Sequence, residues 1–239
     1  VPALARRTSK PAAPAPHVDA PGDSTHARLL AEAMKLMARE GMNAVSLRRI
    51  VVAAGANNAS ALHYHFGSRE GLVGEITAML QQWLEPRSCA GLEALRARPH
   101  GVRDIMEAAF GPMIEMLQTP GFGRDAVSFI GRLGWDFGEA GQRLSAKLHR
   151  RLLGLAVELL EARLPGTPRE TIQYRLILSM NVVYYGISYR SYLKRSPFGV
   201  MPMSERGNEA RERREFMDYL EAGVRNVPGA GLAVSHVAS

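Results

Sequence analysis

Between residues 46 and 69 the chain gathers hydroxyl, amide, imidazole, phenol and guanidinium groups: Ser46, Arg48, Asn57, Asn58, Ser60, His63, Tyr64, His65 and Arg69. Groups of these types hydrogen-bond phosphate oxygens and base edges. Asn58 and Ser60 are candidates for base contact, since an Asn amide can pair bidentately with an adenine edge, and Ala61 offers a methyl group to thymine. Ser46 and Asn57 or Asn58 stand at expected helix starts, where unpaired N–H groups and a partial positive charge favour phosphate. Arg48 and Arg69 add full charges close by, while His63, Tyr64 and His65 donate at short range.

The rest of the sequence offers little to an enzyme. HExxH, GxSxG, P-loop and paired-Cys patterns are all missing, so no catalytic residue, metal or cofactor is expected. His63 and His65 lie two apart on a helix, on nearly opposite faces, and cannot share a metal ion. Gly121, Phe122 and Gly123 with Ala126 imitate part of a dinucleotide loop, but a proline rather than a strand precedes them. The single cysteine, Cys89, leaves no partner for an intrachain disulfide. An enzyme and a helical ligand-binding module without DNA recognition remain the alternatives.

Short helices must position the polar groups. Ser46 caps a helix expected over 47–54, which Gly55 ends in a turn suited to positive φ. A third helix is expected over 58–64, beginning at Asn57 or Asn58. A first helix over 24–40, with apolar residues at helical spacing and a stop at Gly41, packs beneath this pair. Two short helices around a Gly turn form the helix-turn-helix unit, whose second helix enters the DNA major groove.

Here the sequence resembles the TetR family of one-component transcriptional regulators. The resemblance is carried by a helix ending in Glu40–Gly41, by SLRRIVVAAG over 46–55 and by LHYHFGSREGL over 62–72. It covers about residues 24–75 and implies an all-α homodimer with an N-terminal three-helix DNA-binding domain and a larger helical effector-binding domain. Against the family pattern, the stretch from Gly55 to Phe66 holds one extra residue, and the Lys often found early in the recognition helix is missing.

Charge agrees in sign. The formal net charge is +7, and residues 24–71 hold six Lys and Arg against three Glu, a local +3. A polyanionic partner is permitted by this balance, not demanded. Residues 1–22 are rich in Pro and Ala and are expected to be a disordered tail, as is 229–239. The first residues lack the apolar stretch of a secretory signal, and no apolar run approaches the roughly 20 residues that span a bilayer. A cytoplasmic location without a membrane partner is the expectation.

The division expected is a DNA-binding unit over 23–68 and a ligand-binding and dimerisation unit over 69–228. A long fourth helix over 69–96 should kink or split at Pro86, and further helices are expected over 102–118, 123–137, 141–163, 168–195 and 205–226. Met and aromatic residues suit an adaptable pocket for an apolar or aromatic effector, lined by Met106, Phe110, Phe129, Trp135 and Tyr184. Residues 172–193 are apolar almost all round, and the last helix carries a stripe of Phe216, Leu220 and Val224. Both would pack against a symmetry mate in a four-helix bundle. The partners expected are therefore a double-stranded DNA operator, a small-molecule effector and a second copy of the chain, with the fourth helix as lever between pocket and DNA-binding unit.

Overall fold

The computed structural model describes residues 24–56, 60–188, 193–205 and 207–225. Both expected tails fall outside this set, as do Asn57, Asn58 and the side chains of Ser60 and Ala61. The described residues form nine α-helices and no strand. They are α1 (Thr25–Glu40), α2 (Leu47–Ala53), α3 (Ser60–Phe66), α4 (Arg69–Leu95), α5 (Val102–Gln118), α6 (Gly123–Asp136), α7 (Gly138–Glu161), α8 (Arg169–Ser188) and α9 (Glu209–Arg225). A 3₁₀ turn, Pro202–Ser204, precedes α9. The expected all-α fold is present, and no helix described is long and apolar enough to cross a membrane.

Helices α1–α3 make a small head around Leu29, Ala33, Met37, Met42, Val45 and Ile50, all fully buried. Each such aliphatic side chain contributes about 1.5–3 kcal/mol by leaving water. Helices α4–α9 form the body, with Phe110 and Phe129 among its largest enclosed side chains. Close packing of α4 on α5 depends on small residues. A Cβ on Gly91 would stand 3.2 Å from that of Ala108, and Ser88 Oγ donates to the Ala109 carbonyl at 3.1 Å.

Several boundaries differ from expectation for local reasons. Helix α3 ends at Phe66, two residues later than the sequence suggests, where Gly67 turns the chain with φ +68°. Helix α4 is not split: it runs through Pro86 to Leu95. Beside the proline, the Arg87 guanidinium lies 4.1 Å from the centre of the Trp83 ring and donates to the Trp83 carbonyl at 2.6 Å. A side chain thereby supports the backbone in the turn that proline weakens. Helix α7 starts at Gly138, three residues early, and α8 is described to Ser188, with the chain turning at Ser196–Gly199. Helix α9 begins at Glu209, later than expected, after the 3₁₀ turn Pro202–Ser204, to which Asn208 donates at the Pro202 carbonyl.

Candidate nucleic-acid interface

Ser46 caps α2, its hydroxyl accepting the Arg49 N–H at 3.2 Å. Gly55 makes the turn with φ +64°, and Ala56 N–H reaches back to the Val51 carbonyl at 3.0 Å. Helix α3 then packs one side inward, burying Leu62 and Phe66. The other side faces solvent. Tyr64 is 86% exposed, and His63 is exposed beside it.

The two histidines have separated roles. His63 Nδ1 lies 3.0 Å from the Gly67 carbonyl; the carbonyl can only accept, so Nδ1 carries the proton and Nε2 points elsewhere. His65 is half-buried against the rings of His26 and Phe66, with centroids 5.5 and 5.9 Å away. Tyr64 stands edge-on to His65 at 5.2 Å. Packing from behind therefore restrains the aromatic that projects furthest.

Arg48 is exposed on α2 and has no carboxylate partner among the described residues. Its neighbour Arg49 is paired with Glu40. Arg69 departs from expectation. Instead of facing outward as a phosphate contact, it donates to the Met42 carbonyl at 2.8 Å and the Val45 carbonyl at 2.6 Å. These bonds clamp the α1–α2 loop to the start of α4. Ser68 caps that helix by accepting Gly71 N–H at 3.0 Å. Gly71 itself admits no side chain, since a Cβ there would lie 2.1 Å from the Phe66 carbonyl oxygen.

Sequence order gave no hint of a second attachment between head and body. Arg39, near the end of α1, makes a two-pronged pair with Asp125 at 3.0 and 3.1 Å. Arg132 donates to the Ala38 carbonyl at 2.8 Å, and Asn43 to the Asp136 carbonyl at 2.6 Å. Helix α6 thus grips the head beside α4. The partners lie 86 to 94 residues apart, and no local pattern marks them.

Residues 29–76, from within α1 to the start of α4, match the family described as bacterial regulatory proteins, tetR family. The head is a TetR-family DNA-binding domain. The architecture continues the likeness beyond it. The TetR-family regulator PfmR from Thermus thermophilus superposes with a TM-score of 0.52 at 20% identity, covering 85% of this chain and 97% of that one. NalD, the secondary repressor of the MexAB-OprM multidrug efflux pump in Pseudomonas aeruginosa, gives 0.54 at 17% over 83% and 96%. A transcriptional regulator from Saccharomonospora viridis, crystallised with choline, gives 0.54 at 18% over 82% and 95%. At these identities the likeness is one of fold. No curated protein matches the sequence.

The body departs from the pocket expected in it. Met106, Phe110 and Phe129 are fully buried core residues and line neither of two cavities beside the body. Trp135 is 70% exposed, edge-on to Tyr185 at 6.4 Å. Tyr184 borders a small cavity of about 220 Å³, shared with Arg39, Ser128 and Arg132. The reason is packing: the long apolar side chains meet at the centre of the body and fill it. A larger cleft of about 850 Å³ lies to one side, between the α5–α6 turn and the start of α9.

Tyr184 also closes a buried polar pair. His149 Nδ1 lies 2.7 Å from the Ser145 carbonyl, so it carries the proton, and Nε2 accepts from the Tyr184 hydroxyl at 2.7 Å. Burial lowers the His149 pKa to about 4 and raises that of Tyr184. The imidazole is neutral at physiological pH. Among the described residues no group of three or more His, Cys, Asp and Glu side chains is placed to hold a metal.

Proposed function

We propose that the chain is a ligand-responsive transcriptional repressor that binds a palindromic operator as a homodimer in the cytoplasm and has no enzymatic activity. The observation carrying this reading is the exposure of Tyr64 and His63 on α3, opposite the buried Leu62 and Phe66. A short helix anchored on one side and studded with short-range donors on the other suits the major groove. Tyr64, His63, Ser46 and Arg48 are the phosphate contacts in this reading. Asn57, Asn58, Ser60 and Ala61 are the base contacts in this reading.

The second copy would bind through α8 and α9. Tyr174, Ile177 and Leu178 on α8 are 62, 47 and 46% exposed, an apolar face uncovered in a single chain. Twofold packing of these helices would set two α3 helices about 34–36 Å apart, one turn of duplex. An effector would favour the form in which that spacing is lost, lowering DNA affinity by its preference for that form. Among proteins of the same fold, NalD is a repressor and the Saccharomonospora viridis regulator was crystallised with choline; we extend repression and effector binding to this chain.

Selection of random duplex DNA on the full chain tests the reading. It should yield a twofold-symmetric site, bound more weakly as salt rises. Recovery of no preferred sequence, or equal salt-insensitive binding to all DNA, would overturn it.

A further inference from the structure

The cleft beside the body unites an apolar floor with a cation that nothing in its own wall neutralises. Ile114 and Leu117 on α5, Phe122 in the α5–α6 turn and Phe216 on α9 line its apolar part. Its volume, about 850 Å³, falls in the range of small-molecule sites. Three arginines and three carboxylates border it: Arg39, Arg124 and Arg213 against Asp125, Glu209 and Glu212.

Their circumstances differ. Arg39 holds both oxygens of Asp125. Arg213 pairs with Glu107 at 3.0 Å and Glu115 at 3.8 Å, both on α5. Glu209 and Glu212 sit in the first turn of α9, where the positive end of the helix dipole favours them, and Glu209 accepts the Gly207 N–H at 2.8 Å. Arg124 is exposed and has no carboxylate partner among the described residues. The wall therefore offers one uncommitted positive group over an aromatic and aliphatic floor.

We infer that this cleft binds a small aromatic monoanion, its charge on Arg124 and its ring system between Phe122 and Phe216. The same cleft is bordered by Arg39 and Asp125, the pair that fastens the head to α6. An anion at Arg124 stands beside Asp125 and competes with it for Arg39, so occupancy loosens that joint. This consequence rests on the proposed DNA-binding function; the binding itself does not.

The probe is 8-anilinonaphthalene-1-sulfonate, an aromatic anion whose fluorescence reports transfer from water, added to the full-length chain. N-Phenyl-1-naphthylamine supplies the neutral counterpart, and benzyltrimethylammonium a cationic competitor. The expected result is saturable one-site binding of the sulfonate. Arg124→Ala should weaken it at least 5-fold, Arg124→Lys should largely restore it, and neither should change the affinity of the neutral probe. Leu117→Glu should weaken both probes. Thermal melts of each variant separate lost binding from lost folding.

Sulfonate binding that ignores both Arg124→Ala and Leu117→Glu would overturn the inference. So would displacement by the cation, or sedimentation showing that Leu117→Glu separates two copies whose contact covers the cleft. Anisotropy of a selected operator duplex, with and without saturating sulfonate, separates this inference from the DNA-binding reading. A chain that binds sulfonate as described but no DNA refutes the DNA-binding reading and leaves the site standing. A chain that binds operator but not sulfonate refutes the site alone.

Discussion

Two outer faces of this molecule leave large side chains in water, and they do so in opposite company. On α3, Tyr64 is exposed between His63 and His65, on a helix that begins at Ser60. On α8, Tyr174 is exposed beside Ile177 and Leu178. Donors around an aromatic ring suit a hydrated, charged partner; aliphatic neighbours suit a dry one. Exposure alone does not separate the two faces. Their neighbours do, and each face makes a claim that a substitution can break.

The largest effect belongs to α8. Replacing Ile177 and Leu178 together by Glu places two charges on the face proposed to meet the second copy. The monomer should fold normally, because both residues are already about half exposed in it. Operator affinity should fall by roughly 10²-fold or more, since one half-site can no longer assist the other. Sedimentation and DNA titration of the same variant check both statements. Retained dimers would move the interface away from α8.

The α3 face depends on how rigidly its helix is joined to α4. Gly71→Ala forces a methyl group to within 2.1 Å of the Phe66 carbonyl oxygen, and the junction must shift. A loss of about 3 kcal/mol in head stability is expected from such overpacking, measurable by urea denaturation. The counterpart on α8 is softer: a Cβ on Gly186 would lie 2.9 Å from the Phe216 ring, a side chain rather than backbone. The Gly71 clash is not written in local sequence. Reading the chain found the capping Ser46 and the turn at Gly55, because each follows from spacing within a few residues. It did not foresee the bonds of Arg69, since only the fold brings the Met42 and Val45 carbonyls to that guanidinium. It also expected a pocket among Met106, Phe110 and Phe129, since composition records which residues are apolar but not whether they fill the space between helices.

Behind α8 the buried pair of His149 and Tyr184 makes stability depend on pH. The folded chain keeps His149 neutral down to about pH 4, whereas the unfolded chain protonates it near 6.5. Protons therefore favour unfolding: this contribution is intact above pH 6.5 and is lost between 6.5 and 4. A gap of that size corresponds to about 3 kcal/mol. Tyr184→Phe removes the hydroxyl that donates to Nε2 and should cost about 1–3 kcal/mol even at neutral pH, by stranding a buried acceptor. Denaturation at several pH values tests both, and a flat profile in the unmodified chain would remove His149 as the cause. Operator contacts on α3 should be indifferent to Tyr184→Phe apart from the loss of folded protein.

The smallest effect probes the comparison most finely. Tyr64→Phe deletes one hydroxyl from a side chain that is 86% exposed and leaves the ring against His65. No buried group loses a partner, so stability should stay within about 0.5 kcal/mol. If the hydroxyl donates to a phosphate, operator affinity falls by about 1 kcal/mol, roughly 5-fold, and by a similar factor on every sequence, because phosphates carry no base identity. If the ring rather than the hydroxyl makes the contact, Tyr64→Phe binds normally and only Tyr64→Ala weakens binding. Paired titrations of the two variants on selected and scrambled duplexes separate these outcomes. Normal binding by both would show that α3 presents its aromatic face to something other than DNA, and the contrast with α8 would then lose its basis.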